Sequence, residues 1–502
     1  MRKVLIANRG EIAVRIIRAC RERGIATVAV CAEPDRDALY ARLADERVAL
    51  PGAAARDTYL DIGRLVDAAR RSGADAVHPG YGFLAESPGF AEAVAEAGLA
   101  WVGPPADVIA RLGDKTAARR LAEAQGVPVV PGYDAPDASD AALAEAAVRL
   151  GPPLMIKAAS GGGGRGMRRV GSLDELPDAL RSARREALAA FGRDALLLER
   201  DVDDVRHVEV QVLADGVEHV WALGERECSI QRRHQKIVEE SPSPFVTPEL
   251  RARLERAAVA IARAAGYVNA GTVEFLVDPE RRFYFLEVNT RLQVEHPVTE
   301  AVTGLDLVAW QLRVASGDRL PASRAEPHAI RGNASECRVT AEDPAHDFRP
   351  TPGPILTLVE PRGPGVRVDS GLRAGWRVTV EYDPMLSKVI AHGETREAAI
   401  ARMDEALAGY VILGCTTNLE YLRAIVRNDA FRRGDTTTRF LERHLAGWSG
   451  GAADSVLAAA AVIAVLGARD GEERRPEADA GGRRRAADPW DDVGPWRLGA
   501  SR

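Results

Sequence analysis

The first hundred residues alternate short apolar runs with stretches of helical spacing, and this alternation restricts the possible folds more than any other feature. Residues 3–7 (KVLIA), 27–31 (TVAVC) and 74–78 (ADAVH) have the length and composition of buried strands. Between the first two runs, apolar residues recur at helical spacing over residues 13–20. We therefore expect an α/β protein that begins with a doubly wound parallel sheet.

The turn after the first predicted strand reads NRGE and not GxGxxG, so we predict no dinucleotide site there. The chain has 502 residues, too many for one hydrophobic core, and its pattern changes several times along its length. The predicted divisions are an N-terminal α/β domain over 1–112, a linker helix over 113–129, a glycine-loop unit over 130–202, a long α/β body over 203–446 and a tail over 447–502.

Composition narrows the class of protein. The formal net charge of −6 is small, which favours neither a nucleic-acid partner nor a membrane surface. Residues 456–466 (VLAAAAVIAVL) are shorter than the roughly 20 residues that cross a bilayer, so we expect an Ala-rich helix packed on protein, followed by a charged linker. Five cysteines without CxxC spacing and the absence of a signal-peptide pattern predict a soluble, reduced, cytoplasmic protein.

A glycine-rich loop, GGGGRG at residues 161–166, follows a predicted strand that ends in Lys157. Consecutive glycines let backbone N–H groups turn toward a phosphate without a clash from Cβ, and a preceding lysine adds a positive charge. No GK[ST] follows, so the loop is not a Walker motif. Phosphate binding is the functional hypothesis, and a flexible hairpin tip is the alternative.

Two apolar segments, GTVEFLVD and RFYFLEVN, predict a β-hairpin that carries acidic residues. If Asp278 and Phe283 close the turn, Glu274 lies directly opposite Glu287, and Asn289 shares the face of Glu287. Like charges in that position are destabilising unless a cation lies between them, and oxygen ligands suit Mg²⁺. The pattern therefore predicts a magnesium site, with two solvated glutamates as the alternative.

Polar residues continue just beyond this hairpin, in RLQVEH at residues 291–296. Arg291 has the planar guanidinium that matches a carboxylate-like anion, and the following residues supply an amide and a possible base. We interpret the segment as a binding site for an anionic second substrate. A solvated helix start is the alternative.

The segment CSIQRRHQK at residues 228–236 is rich in cations and amides, which suits a polyanion. If the segment is extended, His234 and Lys236 share one face while Gln231 points to the other, and only a bulge unites the three. An exposed basic strand is the alternative interpretation.

Several long segments together resemble the biotin carboxylase family of ATP-grasp enzymes over about residues 1 to 446. They occur in the order IANRGEIAVRIIRA, HPGYGFLAE, KAASGGGGRGMR, RHVEVQVLAD, SIQRRHQKIVEESPSP, GTVEFL and EVNTRLQVEHPVTE. The resemblance implies an α/β fold in which the N-terminal doubly wound sheet is followed by an ATP-grasp fold and a C-terminal biotin carboxylase domain.

The resemblance also implies the site residues. ATP would be bound by Lys115, Lys157, Gly161, Gly162, Gly163, Gly164, Gly166, Glu199, Arg200, Asp201, Val202, His207, Gln231 and His234. Mg²⁺ (or Mn²⁺) would be held by Glu274, Glu287 and Asn289. Bicarbonate would be bound by Lys236, Arg291, Gln293 and the backbone of Val294, with Glu295 as the base. Biotin would lie near Tyr81 and Arg338, and Arg338 would stabilise its enolate.

The implied activity is an ATP-dependent ligase reaction that carboxylates biotin, the first half-reaction of an acyl-CoA carboxylase of the acetyl-, propionyl- or methylcrotonyl-CoA type. No Met-Lys-Met biotinylation motif occurs, so biotin is expected on a separate carrier protein or domain. A homodimer and a carboxyltransferase complete the implied partners. The alternatives are another ATP-grasp ligase and a non-catalytic ATP-binding scaffold subunit.

Two segments depart from the family pattern. Residues 199–202 (ERDV) stand where Glu-Lys-aromatic-Leu is usual at the adenine hinge, and residues 331–338 (RGNASECR) replace RGHAIECR while retaining the arginine. The tail, with PWDDVGPWRLG, resembles the start of the segment that follows the carboxylase domain in longer acyl-CoA carboxylase α chains. We expect either a truncated α chain or a subunit served by a separate carrier.

Overall fold

The computed structural model describes residues 1–135, 138–159, 167–217, 219–321 and 329–450. The predicted Ala-rich helix and linker lie outside the described residues, as do Gly161, Gly162, Gly163, Gly164 and Gly166. Every helix in the described ranges is too short or too polar to cross a membrane.

The N-terminal region is a parallel sheet with helices on both faces, as predicted. Its strands are β1 (Lys3–Ile6), β2 (Ala26–Ala32), β3 (Glu46–Leu50), β4 (Ala76–His78) and β5 (Ala100–Trp101), and its helices are α1 (Gly10–Glu22), α2 (Leu39–Leu43), α3 (Ile62–Ser72) and α4 (Pro88–Glu96). The strand order is β3-β2-β1-β4-β5. Because side chains alternate along β1, Ile6 packs with Ile16 of α1 on one face, and Leu5 packs with Leu65 of α3 on the other.

The helix predicted in the linker over residues 113–129 is observed as α6 (Lys115–Ala124), and a second helix, α5 (Ala106–Gly113), lies directly before it. Between them, Asp114 adopts an extended conformation and its side chain accepts a hydrogen bond from the N–H of Ala117. An aspartate in that role is an N-cap, so a new helix begins after it.

A second sheet follows, and we call the unit that contains it the lid. Its strands are β6 (Gly132–Tyr133), β7 (Leu154–Ala158), β8 (Arg168–Val170) and β9 (Leu196–Arg200), and its helices are α7 (Asp140–Leu150) and α8 (Leu176–Phe191). The strands are antiparallel in the order β6-β9-β7-β8. Apolar residues of β7, β9, α7 and α8 form a separate core between the sheet and its helices.

The described residues between 203 and 450 are built around one large sheet. The strands are β10 (Arg206–Ala214), β11 (Val220–Arg232), β12 (Gln235–Ser241), β13 (Asn269–Val277), β14 (Phe283–Asn289), β15 (Asn333–Thr340), β16 (Glu342–Asp343), β17 (Arg349–Pro350), β18 (Gly353–Pro354), β19 (Thr357–Val359), β20 (Val366–Ser370), β21 (Arg377–Val378), β22 (Met385–Gly393) and β23 (Val411–Leu413). The helices are α9 (Pro248–Ala264), α10 (His296–Thr303), α11 (Leu307–Ala315), α12 (Arg396–Gly409), α13 (Leu419–Arg427), α14 (Asp429–Arg433) and α15 (Phe440–His444). Eight of the strands pair antiparallel in the order β14-β13-β10-β11-β12-β15-β22-β20.

The acidic hairpin is β13–β14, and its predicted pairing of Glu274 with Glu287 is observed. The predicted turn closure is wrong, because Phe283 pairs with Val277 and not with Asp278. A bulge at Leu286 supplies the extra residue on β14 and restores the alignment of the two glutamates.

The cation-rich segment is also a hairpin, so the interpretation of residues 228–236 as one extended strand is wrong. Arg233 and His234 have φ of 50° and 65° and form a two-residue turn between β11 and β12. The reversal places Gln231 directly opposite Lys236, while His234 lies at the tip. The two-residue turn, and not a bulge alone, thus brings Gln231 and Lys236 next to each other.

Candidate active site

The two hairpins lie in the same sheet, and their polar side chains meet around Glu274. The buried Glu274 Oε1 accepts hydrogen bonds from Asn289 Nδ2 at 2.7 Å and from Gln293 Nε2 at 3.1 Å. His207 Nε2 lies 2.8 Å from its other oxygen. Glu287, opposite Glu274 and partly exposed, pairs with Lys115 Nζ at 3.2 Å.

Lys236 is the central cation of this cluster. Its Nζ lies 2.5 Å from Glu209 Oε2, 2.9 Å from Glu274 Oε1 and 2.6 Å from Glu295 Oε1. Burial alone would lower the pKa of Lys236, but the three carboxylates raise it well above its usual value. The ammonium therefore stays charged at neutral pH.

Arg338 lies on the other side of Glu295. Its guanidinium contacts Glu239 Oε1 at 2.6 Å and Glu295 Oε2 at 2.9 Å. Burial alone would raise the pKa of Glu295, but Lys236 and Arg338 together hold it well below its usual range. A fully buried carboxylate is thus kept ionised between two cations.

Arg291 organises the segment between β14 and α10. Its Nε lies 3.0 Å from Glu86 Oε2, its Nη1 donates to Gln293 Oε1 at 2.9 Å, and its Nη2 donates to Asn289 Oδ1 at 3.1 Å. Glu86, in the HPGYGFLAES segment, also accepts from the backbone N–H of Thr290 at 3.1 Å. The N-terminal region therefore holds the predicted anion-binding segment from one side.

The lid contributes Lys157 and Glu199, which form a close ion pair across neighbouring strands β7 and β9. The other predicted hinge residues do not join them. Arg200 is exposed and donates to the carbonyl of Leu150 at 3.1 Å, Asp201 pairs with Arg169 at 2.6 Å, and Val202 is half-buried.

Three further predicted residues occupy the edges of the cluster. Gln231 Nε2 lies 2.8 Å from His207 Nδ1, which joins the β11–β12 hairpin to the residues around Glu274. His234 is exposed at the hairpin tip. The Tyr81 hydroxyl donates a short hydrogen bond to the buried Glu11 and does not touch Arg338.

Several residues in direct contact with the predicted site were not predicted from the sequence, among them Glu86, Glu209, Glu239 and Lys388. Lys388 Nζ donates to the carbonyl of Val294 at 2.7 Å. Glu209 could have been found from the strand order, because it lies directly opposite Glu274 on β10. The sequence shows which segments are strands and does not show which of them are neighbours.

The donor set around Glu274 and Glu287 fits a hard divalent cation. Two carboxylates on adjacent strands supply oxygen ligands, which Mg²⁺ prefers, and Asn289 lies beside them with its Nδ2 on Glu274 and its Oδ1 on Arg291. Lysines and a histidine surround them, which is the environment of a phosphate-rich ligand and not of a soft metal.

A large antiparallel sheet bearing a carboxylate pair, with a lysine-bearing lid sheet, defines an ATP-grasp ligase. The model for the ATP-binding domain of carbamoyl-phosphate synthase L chain matches residues 114–323. The models for the N-terminal and C-terminal domains of biotin carboxylase match residues 1–109 and 336–443. The chain belongs to the biotin carboxylase family.

Similar proteins agree with this assignment. The chain is 47% identical to biotin carboxylase 1 of Bacillus subtilis over 88% of its length and 99% of that protein. It is 46% identical to the α subunit of rat mitochondrial methylcrotonoyl-CoA carboxylase over 88% of its length and 62% of that protein. The biotin carboxylase domain dimer of Hydrogenobacter thermophilus 2-oxoglutarate carboxylase, solved with MgADP, ADP and bicarbonate, superposes with a TM-score of 0.87 at 43% identity, covering 90% of this chain and 99% of that one.

Proposed function

We propose that this chain carboxylates biotin with ATP and bicarbonate, through carboxyphosphate. One observation carries the proposal: the buried, ionised Glu295 lies between Lys236 and Arg338, next to the carboxylate pair Glu274 and Glu287. A base, two cations and a cation-binding carboxylate pair are the groups that this chemistry requires.

Bicarbonate is activated first. We assign Lys236, Arg291, Gln293 and the backbone of Val294 to its binding, because cations and amide donors converge beside Glu295. Glu295, in its ionised form, accepts the bicarbonate proton while a bicarbonate oxygen attacks the γ-phosphorus of ATP. The products of that step are carboxyphosphate and ADP, and Lys236 offsets the developing charge.

Biotin is carboxylated in the second step. Carboxyphosphate separates into CO₂ and phosphate, and phosphate is the base that takes the proton of the ureido nitrogen. The negative charge then moves to the ureido oxygen, where the Arg338 guanidinium stabilises it, and the nitrogen attacks CO₂. Tyr81, on the N-terminal side, is proposed to lie near the biotin ring.

Nucleotide binding is assigned to two lysines and to the carboxylate pair with its neighbouring asparagine. Lys115 and Lys157 supply positive charge for the phosphates, and Glu274, Glu287 and Asn289 hold Mg²⁺. Bound there, Mg²⁺ neutralises phosphate charge. The adenine contacts proposed for Glu199 to Val202, His207, Gln231 and His234, and the phosphate contacts of Gly161 to Gly166, rest on the family resemblance.

The partners are proposed by the same reasoning. A biotin carrier protein or domain and a carboxyltransferase are proposed to complete the reaction, as the family resemblance implies. The similarity to a methylcrotonoyl-CoA carboxylase chain supports an acyl-CoA acceptor, and the dimeric 2-oxoglutarate carboxylase domain supports a homodimer. Five cysteines without disulfide partners support a cytoplasmic location.

ATP hydrolysis tests the proposal directly. Purified protein is assayed with Mg²⁺, with and without bicarbonate, and with and without free biotin or a biotinylated carrier. We expect bicarbonate-dependent turnover that biotin increases, and an Arg338→Ala variant that keeps the bicarbonate dependence and loses the response to biotin. Turnover that ignores both biotin and carrier would favour another ATP-grasp ligase, and ATP binding without turnover would favour a scaffold subunit.

A further inference from the structure

Lys388 is a fully buried cation that the proposed mechanism does not use. It lies in the middle of β22, where it pairs across the sheet with Arg338 of β15 on one side and with Asp369 of β20 on the other. A lysine is almost never fully buried unless its charge is paired, because an ammonium loses its hydration in the interior. The contacts of Lys388 therefore indicate which groups this buried ammonium holds in place.

Its shortest polar contact is to the backbone and not to a carboxylate. Nζ donates to the carbonyl oxygen of Val294 at 2.7 Å, whereas it lies 3.4 Å from Glu11 Oε1 and 4.0 Å from Asp369 Oδ2. The two carboxylates lie close enough to offset the charge of the Lys388 ammonium. The hydrogen bond to Val294 fixes the orientation of the Lys388 side chain.

The carbonyl of Val294 belongs to the peptide unit that joins Val294 to Glu295. That unit is planar, so a hydrogen bond to its oxygen fixes the orientation of the backbone on both sides. One side is the Val294 backbone that we assign to bicarbonate, and the other is the Cα of the proposed base. Lys388 thus holds the two groups at a fixed mutual angle.

The same ammonium reaches the opposite wall of the site. Glu11 lies at the start of α1 and accepts the hydroxyl of Tyr81, and Lys388 Nζ lies 5.9 Å from the centre of the Tyr81 ring. The N-terminal region, which carries the proposed biotin neighbour, is therefore joined to the bicarbonate segment through one side chain.

We propose that Lys388 is a positioning residue that orients the Val294–Glu295 peptide for bicarbonate and links it, through Glu11, to Tyr81. The inference rests on the proposed function, because it acts on the bicarbonate and biotin sites named there. Lys388 touches neither the proposed metal ligands nor the lid lysine, so its effect is selective for bicarbonate and biotin over ATP.

Steady-state kinetics of the full chain test this role with Lys388→Met, which keeps the length and removes the donor. We expect the KM for bicarbonate to rise about 10- to 100-fold, because small misplacements of reacting groups have effects of this size. The KM for ATP should change less than about twofold. Lys388→Gln, which retains a shorter N–H donor, is expected to lie between wild type and Lys388→Met.

The matched control is Arg396→Met. Arg396 is a nearly buried cation that also pairs with a buried glutamate, Glu240, and donates to the backbone carbonyls of Phe431 and Arg432, outside the site. We expect Arg396→Met to leave the ratio of the KM for bicarbonate to the KM for ATP unchanged.

Three results would overturn the role of Lys388. They are an unchanged KM for bicarbonate in Lys388→Met, an equal rise in both KM values, and loss of the folded state in both Lys388 variants while Arg396→Met folds. Failure of the proposed function is a separate result, because it appears in the wild-type protein as the absence of biotin-stimulated, bicarbonate-dependent turnover.

Discussion

Both the parallel and the antiparallel sheet bury aliphatic side chains, but the antiparallel sheet also buries charged ones. The inner strands of the parallel sheet bury aliphatic side chains such as Val4, Leu5 and Val30, all without solvent exposure. The antiparallel sheet buries Glu209, Arg226, Glu239, Glu336 and Lys388 as completely. Side chains that are equally buried in the two sheets therefore differ in charge.

Aliphatic burial stabilises the chain by roughly 25 cal/mol per Å² of apolar surface, whereas buried ion pairs often do no better than break even. Aliphatic residues of both sheets, such as Leu5 in the parallel sheet and Val210 and Val273 in the antiparallel one, thus supply stability. The buried charged residues of the antiparallel sheet add little net stability, and they hold charges at fixed positions without water. The following substitutions test that division, in order of expected effect.

Lys236→Met has the largest expected effect, because it leaves Glu209, Glu274 and Glu295 without their shared cation. We expect kcat to fall by about 10²- to 10³-fold. The matched control is Lys3→Met, which removes the ammonium that pairs with Glu46 at 2.7 Å at the edge of the parallel sheet. Equal losses of bicarbonate-dependent ATP turnover in the two variants would erase the distinction between the sheets.

Leu5→Ala tests the parallel sheet and should act on stability alone. Truncation of a fully buried leucine costs about 2–5 kcal/mol, so the thermal unfolding midpoint should fall by several degrees. The kcat of the folded enzyme at 20 °C should match wild type. Leu60→Ala, at a leucine with 41% exposure, is the control and should shift the midpoint little. A lower kcat with an unchanged midpoint would contradict this assignment.

Glu336→Gln tests the strain of charge burial in the antiparallel sheet. Glu336 lies opposite Glu239 on β12, and burial raises its pKa well above the usual value, although Lys388 and Arg338 oppose the shift and Glu239 and Glu295 reinforce it. Burial also raises the pKa of Glu239 to about 7, against the effect of Arg338 and Lys236.

A raised carboxyl pKa stabilises the folded state below the unfolded pKa, and that stability is lost as pH rises through the folded pKa. The thermal unfolding midpoint of the wild type should therefore fall between pH 5 and pH 8. The midpoint of Glu336→Gln should fall less over the same range, since an amide does not titrate. Glu96→Gln, on the exposed face of α4, is the control. Identical pH profiles for Glu336→Gln and wild type would show that Glu336 is ionised in the fold.

Asp201→Asn has the smallest expected effect and sharpens the comparison between buried and exposed charge. Asp201 pairs with Arg169 of the lid, whose side chain is 49% exposed, and with Arg439 at 3.7 Å. Exposed pairs contribute about 1 kcal/mol or less, so the KM for ATP should change less than about fivefold. A larger change would give this departure from the family pattern a direct part in nucleotide binding.

The sequence predicted local structure well and spatial neighbours poorly. Periodicity located the acidic hairpin and the parallel sheet, and the Glu274–Glu287 pair followed from one assumed turn. The helix break at Asp114 and the turn at His234 depend on single residues whose side-chain or backbone conformation decides the geometry. Glu209 and Lys388 were missed because strand order in a sheet depends on contacts distant in sequence.

The bulge at Leu286 has a consequence for how this hairpin tolerates change. The five residues between Val277 and Phe283 form the turn, and the extra residue lies between that turn and the glutamates. Turn length and carboxylate alignment are therefore separate variables. A change in the length of the tip therefore leaves Glu274 opposite Glu287 as long as the pairing from Phe283 to the bulge is kept.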